Sequence, residues 1–118
     1  MALNTYDKTQ LVNESAPTVA WLVVRQGAHV NQQLQLRAGS NTIGRDGQRS
    51  ELMVDDPSVS GEHARIRYEN GAFVLYDLAS TNGTFVNGQR VDKQRLVDGD
   101  QVRLGRLECV FKMINTAR

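Results

Sequence analysis

One cysteine, two prolines and one tryptophan in 118 residues leave several protein classes without their raw material. Cys109 has no partner for an internal disulfide, so a reducing, cytoplasmic setting is the expectation. No C-x-x-C or H-x-x-x-H pair supplies zinc ligands, and no phosphate-loop lysine is present, so neither metal nor cofactor is expected. Charge of one sign is also missing. Lys and Arg total 14 against 13 Asp and Glu, and a net charge of +1 creates no field that would draw a nucleic-acid backbone. The longest apolar run, Val19 to Val24, falls far short of the roughly 20 residues that span a bilayer. The polar first residues lack the basic start and apolar stretch of a signal peptide, and no membrane partner is expected.

What is present is a succession of short runs rich in Val, Leu, Ile and aromatics, broken by turn residues every eight to twelve positions or so, the pattern of an all-β sandwich or barrel. Residues 1–17 are polar and aperiodic, and read as a flexible tail closed by Pro17; 18–118 read as one domain. The expected strands are Val19–Arg25, Val30–Leu36, Asn41–Gly44, Glu51–Val54, Ala64–Tyr68, Phe73–Leu78, Gln101–Leu104 and Leu107–Met113. In Phe73–Leu78 both alternating sets are apolar near the end, which predicts a central strand covered on both sides. Asn70-Gly71 and Asn87-Gly88 each offer two positive-φ positions for a tight antiparallel hairpin, and Asp98-Gly99 is expected to do the same. Cys109 alternates with Leu107, Phe111 and Met113, and is read as a buried apolar side chain.

The residues with chemical potential stand at strand ends: Gly44-Arg45, then Ser60-Gly61-Glu62-His63, then Ser80-Thr81-Asn82-Gly83-Thr84 and Asn87-Gly88. Gathered at one end of a sandwich, these loops would present a guanidinium, several hydroxyls, an amide and glycine-freed backbone N–H groups. All are hydrogen-bond donors. A phosphate monoester, with three acceptor oxygens and nearly two negative charges, matches such a set better than a carboxylate does. Arg45 suits it because its planar fork bridges two oxygens and keeps its proton.

These four elements, in this order and inside an all-β pattern, resemble the forkhead-associated (FHA) domain family over about Trp21 to Met113. The resemblance implies an antiparallel β-sandwich of about eleven strands that binds phosphothreonine peptides. It implies that Arg45 and Ser60 contact the phosphate, that Thr81 adds a hydroxyl, that Asn82 holds the peptide main chain, and that Gly44, His63 and Gly83 are architectural. Many members carry a basic or polar residue after the serine. Here that position is Gly61, whose backbone N–H is left to face an oxygen. Ser58 and the Gly105-Arg106 turn are the candidates for reading the peptide beyond its phosphothreonine. The implied partners are a threonine-phosphorylated protein and an upstream Ser/Thr protein kinase.

Two other readings compete. In the first, Ser60, His63 and Asp56 or Asp77 are nucleophile, base and orienting acid of a hydrolase, although no G-x-S-x-G elbow exposes the serine. A β-sandwich making constitutive protein contacts would leave the donor cluster without purpose. The tail adds a regulatory expectation, because Thr5 and Thr9 are candidate phosphorylation sites and either, tethered at high effective concentration, would occlude the domain's own site.

Overall fold

The computed structural model describes residues 18–115, so the tail and its Thr5 and Thr9 lie outside them. Eleven strands form two facing sheets: β1 (Thr18–Gln26), β2 (Gln33–Leu36), β3 (Ser40–Gly44), β4 (Leu52–Met53), β5 (Ala64–Glu69), β6 (Ala72–Asp77), β7 (Thr84–Val86), β8 (Gln89–Arg90), β9 (Lys93–Leu96), β10 (Gln101–Leu104) and β11 (Leu107–Asn115). One sheet runs β2-β1-β11-β10-β7-β8 and the other β4-β3-β5-β6-β9. All pairs are antiparallel except β3 with β4. This is the expected eleven-stranded sandwich.

Period-two alternation builds the interior. In β1, Ala20, Leu22 and Val24 are buried while Val19, Trp21 and Val23 are only half-buried on the other face. Leu107, Cys109 and Phe111 of β11 do the same from the neighbouring strand, and Phe111 meets Phe73 of the opposite sheet edge-on at 5.7 Å. Each such aromatic contributes about 1.5–3 kcal/mol by leaving water. Cys109 is an ordinary core residue, as its alternation predicted.

Two expectations need correction. β6 lies second from the edge of its sheet, and β5 is the middle strand; the outward Val74 is buried because the register sets it between Arg67 and Arg95, whose long stems can cover apolar surface. Asp98-Gly99 closes no hairpin. It carries the chain from β9 in one sheet to β10 in the other, and of the pair only Gly99 has a positive φ. By contrast, Asn70-Gly71 (φ 51° and 82°) and Asn87-Gly88 (φ 50° and 86°) make the tight hairpins that the sequence signals.

The register places the loops. Ile43 pairs with Ala64 and Ala64 with Asp77, so β3 ends, β5 begins and β6 ends at one level of the five-stranded sheet. The three loops that emerge there are those carrying Arg45, Ser60 and Thr81.

Candidate functional site

Close approach of two backbones sets the site. A Cβ on Gly44 would lie 1.9 Å from the Gly61 carbonyl oxygen, so only glycine allows the turn after β3 to meet the segment before β5. The two are then laced together: Arg45 N–H donates to the Ser60 carbonyl (2.9 Å), and Asp46 N–H and the Ser50 hydroxyl donate to the Gly61 carbonyl (3.1 and 2.7 Å). Arg45 adds an Nε donation to the Val59 carbonyl at 3.0 Å. This anchors an exposed side chain at its root and leaves its two terminal amino groups without a partner among the described residues.

His63 ties this pair of loops to the third. It is fully buried, its Nδ1 accepts the Ser60 N–H (3.0 Å), and the proton therefore sits on Nε2, which donates to the Gly83 carbonyl (2.9 Å). Burial holds its pKa below the usual imidazole value, against the opposing pull of the Gly83 bond and the Asp77 charge. Asp77 organises the third loop by accepting from the Ser80 hydroxyl (2.6 Å), the Thr84 hydroxyl (2.6 Å) and Ser80 N–H (3.2 Å). Its desolvation, which favours the acid, is outweighed by these donors, and the carboxyl stays below its ordinary range. Asp56, a buried carboxylate, is desolvated too. It is likewise held low by Ser58 O–H (2.7 Å) and N–H (2.9 Å), with Ala28 N–H and the Arg106 charge in support.

These knots do not assemble Ser60, His63 and Asp56 or Asp77 as a catalytic triad. Both ring nitrogens of His63 are engaged by backbone groups, both candidate carboxylates are occupied by serine or threonine donors, and the Ser60 hydroxyl oxygen accepts from Thr81 N–H (3.1 Å) instead of pairing with the imidazole. With its oxygen so engaged, the Ser60 hydroxyl keeps its own proton for an outside acceptor. Thr81 and Asn82 are exposed beside it. Asn82 donates one amide proton to the Ser58 carbonyl (2.9 Å), which fixes the side chain and leaves its carbonyl oxygen without a partner among the described residues. Gly61 N–H has no partner among the described residues. Arg45, Ser60, Gly61, Thr81 and Asn82 thus meet at one end of the sandwich.

The FHA domain family profile matches residues 41–105, more than half of the chain and the whole span of these loops. The chain belongs to the FHA domain family. Among similar proteins, the FHA domain-containing protein FhaA of Mycobacterium tuberculosis is 47% identical over 79 residues, 67% of this chain and 15% of that protein. The glycogen accumulation regulator GarA of the same species is 38% identical over 95 residues, 80% of this chain and 58% of GarA. The chain therefore spans 58% of GarA and a much smaller part of FhaA. A structure solved in a study of phosphothreonine-dependent FHA domain interactions superposes with a TM-score of 0.74 at 40% identity, covering 81% of this chain and 97% of that one.

Within this FHA domain the remaining predicted residues divide into two groups. Ser58 and Gly105 are buried, and Ser58 also lines the hollow beside Arg106. The Ser58 hydroxyl is consumed by Asp56 and by the Arg106 N–H (2.8 Å), and a Cβ on Gly105 would press to 2.3 Å from the Ser58 carbonyl. Gly83, at φ +90°, accepts from His63 and from Gly105 N–H (2.9 Å), and so joins the turn between β10 and β11 to the cluster. Arg106 alone of the three specificity candidates is exposed. It borders a hollow of about 490 Å³ whose walls include Gln26, Gly27, Pro57 and Asn82. Sequence reading did not find Gln26, Gly27 and Pro57. Their only signals were a glycine after a strand and the Asp56-Pro57-Ser58 turn, neither of which says what lies across the gap.

Proposed function

We propose that this FHA domain is a phosphothreonine-dependent protein-binding module in Ser/Thr kinase signalling, and that it performs no catalysis of its own. The observation that carries the reading is a set of donors without partners among the described residues, on loops tied together at one end: the terminal guanidinium nitrogens of Arg45, the Ser60 proton, the Gly61 N–H and the Thr81 hydroxyl. Arg45 and Ser60 hold the phosphate with help from Gly61 and Thr81, Asn82 holds the peptide main chain, and His63 with Gly44 and Gly83 keeps the loops at their spacing. The phosphothreonine dependence stated for the structurally similar FHA domain supports it. So does the commitment of both His63 nitrogens, which deprives a hydrolase of its base. Arg106 and the hollow beside it receive the peptide residues beyond the phosphothreonine.

Residues 1–17 act as a regulatory tail to the domain of 18–118. Phosphorylated at Thr5 or Thr9, the tail competes as an intramolecular ligand. The regulator role named for GarA fits a switch of this kind. The test is an oriented phosphothreonine peptide library, run beside its unphosphorylated and phosphoserine versions. Enrichment confined to phosphothreonine is expected; equal capture of the unphosphorylated peptides would replace this reading with a constitutive contact surface.

A further inference from the structure

The outer face of the five-stranded sheet carries a charge pattern that the phosphothreonine site does not use. Alternation turns Ala64 and Ile66 of β5 inward, so Arg65 and Arg67 face out. The register then aligns Arg65 with Tyr76 and Lys93, and Arg67 with Val74 and Arg95. Two cross-strand rows result, each with a cation on β5 and another on β9 and an aromatic or apolar residue between them. Three strands at about 4.8 Å spacing and two rows about 7 Å apart place four cations within a patch about 10 Å wide.

This patch is only partly neutralised from within. Arg67 meets Glu69 at 3.5 Å, and Glu69 also accepts the Tyr76 hydroxyl at 2.5 Å. Arg65 donates to the Thr42 hydroxyl, 3.3 Å away. Lys93 sits over the Tyr76 ring at 5.6 Å, and neither it nor Arg95 has a carboxylate partner among the described residues. Lys93 and Arg95 are exposed on an edge strand. The patch also continues from the phosphothreonine loops. Arg65 and Tyr76 lie one pair in from Ala64 and Asp77, where those loops emerge, and Asp77 N–H bonds the carbonyl of Asp92, the residue before Lys93.

We propose that this face is a second docking surface, taking an acidic stretch of the same partner protein whose phosphothreonine occupies the loops. The inference rests on the function proposed above for those loops. Arg65, Lys93 and Arg95 receive the carboxylates and Tyr76 offers an apolar platform between them. Complementarity favours a short acidic protein segment over a nucleic acid. The patch is small, Glu69 stands inside it, and the whole chain carries a charge of only +1, so a continuous phosphate backbone would meet repulsion where it left the patch. Single exposed ion pairs contribute little, but several engaged by a tethered segment act together.

The experiment compares a short neutral phosphothreonine peptide with versions extended on either side by about six Gly/Ser residues and four glutamates, a flexible linker long enough to reach the face. One extended version is expected to bind roughly tenfold tighter at low ionic strength, with the gain shrinking in high salt. The double substitution Lys93→Glu with Arg95→Glu, and the milder Lys93→Gln with Arg95→Gln, should erase the gain and leave the short peptide's affinity unchanged. No gain from either extension, or a gain that survives both variants, overturns the proposal. If the short phosphopeptide fails to bind, the phosphothreonine reading falls and the face is judged alone by a glutamate-rich peptide. NMR shifts at residues 65, 93 and 95 support the face, and their absence overturns it. Tighter binding of duplex DNA or of phosphatidylserine vesicles through the same residues also overturns it, in favour of that class of partner.

Discussion

Asn82-Gly83 and Asn87-Gly88 are the same dipeptide five residues apart, and the fold uses them for opposite ends. Asn87 and Gly88 both take positive φ and reverse the chain between β7 and β8; Gly88 faces open space, while the Asn87 side chain bonds Asp100 and Gln101. At the other pair only Gly83 is left-handed. Its carbonyl is buried against His63 and Gly105, and Asn82 reaches across to Ser58, a residue 24 positions earlier. One pair turns a hairpin and ties it to the start of β10; the other is a junction of three loops. The difference is set by partners far away in sequence, so identical local propensity supports a tip in one place and a site in the other.

The strongest way to test this contrast is to remove the brace behind the junction. His63→Ala leaves the Ser60 N–H and the Gly83 carbonyl without partners in a buried place, which costs about 2–4 kcal/mol. The thermal midpoint should fall by more than about 8 °C, with phosphopeptide affinity falling as well. A normal melt with lost binding would show that His63 belongs to the ligand and not to the frame. The same residue sets a pH signature. Its folded pKa is depressed, so the stability it contributes is full above the unfolded value of about 6.5 and declines as pH falls below it. Asp56 and Asp77, also depressed, add a second loss below about pH 4. Denaturant midpoints measured from pH 8 to 3 should show both steps, and His63→Ala should remove the first.

Arg45→Ala comes next. Charge-assisted hydrogen bonds contribute about 1.5–3 kcal/mol, so phosphothreonine affinity should drop roughly tenfold to a hundredfold or more in titration calorimetry, with the melt nearly unchanged. The two asparagines can then be set against each other. Asn82→Ala should weaken the phosphopeptide about threefold to tenfold, the worth of a hydrogen bond. Asn87→Ala should leave affinity alone and cost about 1–2 kcal/mol of stability, because it places alanine at φ 50° and breaks the bonds to Asp100 and Gln101. Equal effects on binding would erase the contrast. The smallest effect belongs to Gly71→Ala, a tip with free space but a φ of 82°, where about 1 kcal/mol of stability and no affinity should be lost.

Most strands with an apolar face were legible in the sequence, and those without one were not. Gln101–Leu104 appears at its expected bounds, and β1, β5, β6 and β11 differ from theirs by one or two residues at an end. β7, β8 and β9 were missed: Thr84–Val86 is only three residues long, Gln89-Arg90 and Lys93-Gln94-Arg95 show no apolar alternation, and the three are held by their ladders to β10, β7 and β6. β2 starts at Gln33 and not at Val30, whose residue lies exposed in a loop where His29 and Asn31 take positive φ. The donors at the site could be listed from sequence because they are chemically unusual as a set. Their bracing could not. Nothing local says that Ser58 faces inward to Asp56, or that Gly105 must be bare because Ser58 stands 2.3 Å from where its side chain would begin.

The burial of Cys109 has a practical consequence. It lies on β11, hydrogen-bonded to a strand on either side, and burial, reinforced by the Glu108 charge, pushes its thiol up to about 12. An alkylating reagent near neutral pH finds almost no thiolate until that strand is torn from both neighbours. The chain thus carries a native stopwatch. The rate at which iodoacetamide marks its single thiol counts global openings, with no dye, tag or engineered residue needed.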